Sequence, residues 1–165
     1  MQGIEATYSL TALQRSMLFL HVAEPASGVD IEQVVCKLPV QLDLEAFRNA
    51  WEKVVERHAI LRTSFSWLDG EPLQHVHRSV AVPFFAADWR GMSAHDQQRR
   101  FNEFLESERA RGFDMGTAPI FRLNLFRTAE AQYIFAWTFH HILLDGRAFA
   151  VVMREVATFY DAHRQ

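Results

Sequence analysis

A single cysteine, Cys36, stands in the 165 residues. That excludes an internal disulfide framework and makes the thiol a small core residue of a reducing compartment. A basic excess is missing too: Lys and Arg number 17 against 20 Asp and Glu, a formal net charge of -3. Without it, the electrostatic term that drives non-specific binding to phosphate backbones is lacking, so nucleic acid is not an expected partner. No apolar run approaches the roughly 20 residues of a membrane span. The opening Met1-Gln2-Gly3-Ile4-Glu5 lacks the basic segment and apolar stretch of a secretory leader. The expected setting is cytoplasmic, away from membranes. With no Gly/Ser-rich linker, repeat or low-complexity tract, nothing divides the chain into separate units.

What is present is apolar and aromatic. At 49% hydrophobic and 22% charged residues, the chain suits one globular unit that buries roughly 70% of its unfolded surface. Fourteen Phe and four Trp imply a thick aromatic core, or a surface meant to be covered by something else.

Leu10, Leu13, Met17 and Leu20 recur at helical spacing behind Ser9 or Thr11, either of which is a suitable cap. A turn follows at 24–28. Residues 31–42 read as a strand, and Asp43 then caps a helix whose Leu44, Phe47, Trp51, Val54 and His58 line one stripe. Residues 61–68 and 72–77 flank Asp69-Gly70, a hairpin signal, and 80–85 is a candidate further strand. Residues 93–111 form a charged amphipathic helix closed by Gly112. In that helix Arg99, Arg100, Arg109 and Arg111 alternate with Glu103, Glu106 and Glu108, which reads as a solvated, salt-bridged face. Phe121, Leu123 and Leu125 alternate with Arg122 and Asn124, as in a strand with one wetter face. Residues 132–139 suit a central strand. A last helix starts near Asp145 and Gly146, carries Phe149, Val152, Val156, Phe159 and Tyr160 on one face, and runs to a chain end without a tail. The fold class expected is α/β of the two-layer α+β kind: a mixed, largely antiparallel sheet with helices packed on it.

The stretch Phe139-His140-His141-Ile142-Leu143-Leu144-Asp145-Gly146 lies where an apolar strand gives way to a helix, a junction that brings polar groups to a sheet edge. A histidine there can take or give a proton near neutral pH once its neighbours fix its orientation. His75 and His77 share a face of a presumed strand, but no HExxH helix, cysteine pair or matching acidic ligand accompanies them, so no metal is expected and both read as surface histidines.

His140-His141-Ile142-Leu143-Leu144-Asp145-Gly146 resembles the HHxxxDG signature of condensation domains, members of the chloramphenicol acetyltransferase-like superfamily that act in nonribosomal peptide synthetases. Arg57-His58-Ala59-Ile60-Leu61-Arg62-Thr63-Ser64-Phe65 is similar to the family's RHExLRTxF segment, and the run from Ser9 to Leu18 to its opening motif. Gly112-Phe113-Asp114 with Ala118-Pro119-Ile120-Phe121-Arg122 resembles the segment before the active-site hairpin. The departures are Ala59 in place of glutamate and Phe139 in place of methionine.

The resemblance implies that residues 1–165 are the amino-terminal lobe of a condensation domain, with the carboxyl-terminal lobe absent and half of a substrate tunnel present. It implies amide-bond formation between a carrier-bound acyl or peptidyl thioester and a carrier-bound aminoacyl acceptor, with this fragment alone inactive. His141 would act on the acceptor amine, as general base or as a positioning group. His140 would be structural, because neighbours on a strand point to opposite faces. Asp145 would cap the last helix, pair with Arg62, or do both. Gly146 would permit close backbone approach or simply open the helix. No cofactor is bound, since the substrates ride on the phosphopantetheine arms of carrier proteins. The partners implied are those carriers, the missing lobe and an adjacent adenylation domain, with self-association of the isolated lobe. The competing readings are an acyl-CoA-dependent acyltransferase of the same superfamily, an epimerisation domain, and a non-catalytic lobe that only docks carriers. The cyclising subclass, which replaces the paired histidines with an aspartate-based motif, does not fit His141.

Overall fold

The structure, a computed structural model, describes residues 3–24, 27–67 and 70–164. The expected turns at 24–28 and around Asp69 therefore fall partly outside the described residues. Strands are β1 (Ile4–Ser9), β2 (Ile31–Leu38), β3 (Thr63–Ser66), β4 (Leu73–His77), β5 (Phe84–Asp88), β6 (Phe121–Ala129) and β7 (Gln132–His140). Helices are α1 (Ala12–Ala23), α2 (Leu44–Arg57), α3 (Ala94–Arg111) and α4 (Ala148–His163), with a 3₁₀ turn at Ala59–Arg62. They build the mixed α/β architecture expected, with the strands divided between two sheets. One has the order β1-β4-β3 and the other β2-β7-β6-β5, antiparallel except for the parallel β5-β6 pair.

Local chemistry fixes the helix starts. Thr11, not Ser9, caps α1: its hydroxyl accepts the Gln14 N–H at 3.2 Å while the Gln14 side chain accepts the Thr11 N–H at 3.0 Å. Ser9 is the last residue of β1, a strand of mostly exposed residues that the sequence pattern does not reveal. Asp43 caps α2 by accepting the Ala46 N–H at 3.0 Å, and Ser93 caps α3 by accepting the Asp96 N–H at 3.1 Å. β2 stops at Leu38, short of the expected 31–42, because Pro39 has no N–H for the ladder. The strand expected at 80–85 is displaced to β5.

β7 lies between β2 and β6 and is apolar because both its faces are covered. Tyr133, Phe135, Trp137 and Phe139 join the core under α2 and α4, where Trp51 meets Trp137 edge-on at 5.0 Å between ring centroids. Ala136 faces the opposite side, in a second cluster with Trp89, Phe101 and Phe126 beneath α3. The two-layer packing expected is thus extended by a helix on the far face of the four-stranded sheet.

That helix corrects two expectations. The face of β6 carrying Arg122 and Asn124 is covered, and the charged face of α3 is solvated only in part. Glu108 is 8% exposed and forms an ion pair with Arg122, whose guanidinium also donates to the Gly112 carbonyl at 2.9 Å and lies 4.0 Å over the Phe113 ring. Arg99 keeps the solvated role, bridging Asp96 and Glu103.

Candidate active site

β7 ends at His140, and the turn through 141–146 carries the chain into α4. His140 is fully buried. Its Nδ1 accepts the backbone N–H of Ile142 at 3.1 Å, and its carbonyl accepts the Leu143 N–H at 3.1 Å. One residue thereby shapes the whole turn. Because Nδ1 is an acceptor, the proton of the neutral ring is assigned to Nε2. Burial, with smaller contributions from the nearby His21 and His141 rings, pushes the His140 pKa down to about 4. His140 is therefore a neutral structural group.

His141 emerges on the other side of the turn, half-buried. Its backbone N–H donates to the Asp30 carbonyl at 2.8 Å, which holds the main chain at this point. Its Nδ1 is buried and has no hydrogen-bond partner among the described residues. The Nε2 of His140 is likewise buried without a partner among the described residues, so what sets the His141 ring apart is its partial exposure.

Asp145 and Arg62 do not form the expected ion pair. The Asp145 carboxylate is exposed and accepts the N–H groups of Arg147 at 3.0 Å and Ala148 at 2.8 Å, the capping role. Those two bonds hold its carboxyl below the ordinary carboxylate range. Arg62 is 8% exposed and pairs with Glu5 at 2.9 Å instead. It also donates to the carbonyls of Val55 at 3.2 Å, Arg78 at 3.3 Å and His77. It ties α2 to β1 and β4 through Nε and Nη1, with Glu5 as the carboxylate that balances its charge. Gly146 has open space where a Cβ would stand, so it permits no close approach within this chain.

Other placements follow the same logic. Ala59 is exposed, so its departure from the motif removes no buried contact here. Phe139 is 2% exposed against Trp137, a core position that accepts either a methionine or a phenylalanine. His75 bonds to Ser66 at 2.8 Å and Thr7 at 3.1 Å, and His77 to Ser64 at 2.8 Å. They are partnered residues of the three-stranded sheet. One histidine beside the pair carries no signal in the sequence, and another has a partner that the sequence does not show. His21 of α1 meets His140 with ring centroids 5.1 Å apart, and no spacing signal marks it. His58, read as the end of an apolar stripe, bonds to Glu155 of α4 at 2.7 Å.

Residues 4–165 match the family model described as the condensation domain. The chain belongs to the condensation domain family. A linear gramicidin synthase of Brevibacillus parabrevis is 44% identical over 160 residues, and bacitracin synthase 3 of Bacillus licheniformis 34% identical over 162. These matches take in 96% and 98% of this chain but 3% and 2% of those proteins. The starter condensation domain of the rhizomide synthetase RzmA shares the fold, with a TM-score of 0.86 at 22% identity over 96% of this chain and 39% of that one. The condensation-domain motif is thus seated at a strand end, with its first histidine inside and its second at the rim.

Proposed function

We propose that residues 1–165 are the amino-terminal lobe of a condensation domain and that, joined to a carboxyl-terminal lobe, they catalyse amide-bond formation in nonribosomal peptide assembly. The observation that carries this is the contrast within the histidine pair: the buried His140 is neutral and bonded to the turn, whereas the partly exposed His141 is anchored through its backbone and its Nδ1 has no partner among the described residues. The donor is a thioester on the phosphopantetheine arm of a carrier protein, and the acceptor is an aminoacyl group on a second carrier. An adenylation domain that loads such carriers belongs to the same assembly, which works in the cytoplasm. The chain needs no bound cofactor, because the thioester supplies the driving force.

In the reaction the acceptor nitrogen attacks the thioester carbonyl, the tetrahedral intermediate collapses, and the pantetheine thiol leaves as the amide forms. His141 takes the proton shed by the nitrogen or holds the amine on its line of attack. Proton transfer by a positioned base is worth about 10² to 10⁴ in rate, and alignment contributes separately. Arg62 and Asp145 act at a distance, one locking α2 to the three-stranded sheet and the other starting α4 at the end of the histidine turn.

The apolar surface agrees with a second lobe. Phe19 and Val29 are 72% and 73% exposed, and Leu20, Val22 and Val151 are exposed as well. They lie on α1, on the loop before β2 and on α4, the elements that supply His21 and Asp30 to the histidines and continue from their turn. The test is complementation: the 165-residue chain, the complementary lobe and loaded donor and acceptor carriers are mixed and amide product is followed. Product only when both lobes are present supports the reading. Product from this chain alone, or none from the reconstituted domain, contradicts it.

A further inference from the structure

The His141 backbone is fixed by the carbonyl of Asp30, and what holds Asp30 lies on the far face of the sheet. Residues 28–31 form a tight turn in which the Ile31 N–H donates to the Gly28 carbonyl at 3.2 Å. Arg109, in the last turn of α3, spans that turn. Its Nη1 donates to the carbonyls of Gly28 at 3.1 Å and Ile31 at 2.7 Å, and its Nη2 donates to the Gln33 side-chain oxygen at 3.2 Å. The Gln33 amide in turn donates to the Leu105 carbonyl at 2.9 Å. α3 is thereby laced to the start of β2 at two points one helical turn apart.

Gly28 is built for this crossing. Its φ is +64°, and a Cβ there would stand 2.9 Å from Arg109 Cγ. A side chain would be strained by the backbone and would collide with the stem of the arginine. The residue on one side of Asp30 is thus shaped to the arginine that crosses it.

Resting on the reading of His141 given above, we propose that Arg109 is a positioning residue for His141, acting through the Gly28–Ile31 turn and the Asp30 carbonyl. Charged donors to carbonyls are among the stronger hydrogen bonds. Here two of them close the turn on both flanks of the one carbonyl that holds the His141 N–H. The solvated, salt-bridged face read from the α3 sequence contains one arginine with a directed task.

The test uses a condensation domain with both lobes present and compares Arg109→Ala, Arg109→Lys, Gly28→Ala and, as a control on the same helix, Arg99→Ala. Two quantities are read: hydrogen exchange of the His141 amide, and kcat and KM for amide formation. Arg109→Ala and Gly28→Ala are expected to speed exchange at His141 by about tenfold or more, the scale of one lost charge-assisted bond, while amides in the middle of β7 keep their protection. Their kcat should fall with little change in KM. Arg109→Lys, which retains a donor, should recover part of both effects, and Arg99→Ala should match the wild type. Unchanged exchange at His141 overturns the proposal. So does a loss of protection spread evenly over β7, or a full kcat in a protein whose His141 amide has been released. Failure of the functional reading is seen separately, as full activity in His141→Ala.

Discussion

The Nδ1 of His140 lies 3.1 Å from the backbone nitrogen of Ile142 and accepts its proton. A side chain with no exposed surface thereby sets the turn that presents its neighbour. Its pKa is about 4 against an ordinary 6.5, so the folded chain refuses a proton that the unfolded chain takes up between those values. Stability is fully present above pH 6.5 and declines as pH falls toward about 4, by an amount on the order of 3 kcal/mol. Urea unfolding at a series of pH values should show that decline in the wild type. His140→Phe should lose about 1 to 3 kcal/mol at pH 7, because the Ile142 N–H is stranded, and should show a shallower acid dependence. An equally steep acid decline in the variant would assign it to other groups.

The Glu108–Arg122 pair gives a second prediction. Arg122→Met leaves a carboxylate that is 8% exposed with only the exposed Arg111, at 3.4 Å, to pair with, so the cost approaches but does not exceed about 3 to 5 kcal/mol, that of a fully unpaired buried charge. Replacing both residues with apolar ones of similar size should cost much less. Denaturant midpoints of the single and double variants check this, and a single variant within about 1 kcal/mol of the wild type would contradict it.

How far the sequence discloses the molecule depends on what each residue answers to. α2 is legible because Asp43 and the stripe of Phe47, Trp51 and Val54 act within the helix itself. β7 is legible because burial on both faces leaves it continuously apolar. β1 is invisible, since its exposed residues hold their place through backbone pairing with β4. Glu108 reads as one more solvated acid on a charged helix until β6 delivers Arg122 beneath it. The burial of His140 and the partial exposure of His141 agree with the alternation expected at a strand end. The partners of Arg62 and Asp145 are not, because motif residues can be named without the distances between them.

His58, at the C-terminal cap of α2, meets Glu155 in the middle of α4 at 2.7 Å, with Arg57 nearby at 3.6 Å. Glu155→Ala removes the acceptor from both and should loosen α4 against α2, at a cost of about 1 to 2 kcal/mol for a half-buried bond. Thermal unfolding of the variant checks the magnitude, and an unchanged midpoint would show that the pair carries no weight.

The exposed apolar side chains Phe19, Leu20 and Val29 predict that the isolated chain associates with itself. Sedimentation at increasing concentration should show species larger than the monomer, and Phe19→Glu, at a side chain 72% exposed, should shift the distribution back. Adding the complementary lobe should have the same effect. A monodisperse monomer at high concentration would remove this part of the account.

The claim that one histidine of the pair performs chemistry while the other builds the turn is tested most directly by single-turnover amide formation in a two-lobe domain. His141→Ala and His140→Ala would be assayed with loaded carriers and followed in parallel by circular dichroism. His141→Ala is expected to fold like the wild type and lose about 10² or more of the rate, whereas His140→Ala is chiefly destabilised. A folded His141→Ala variant that condenses at the wild-type rate would contradict it.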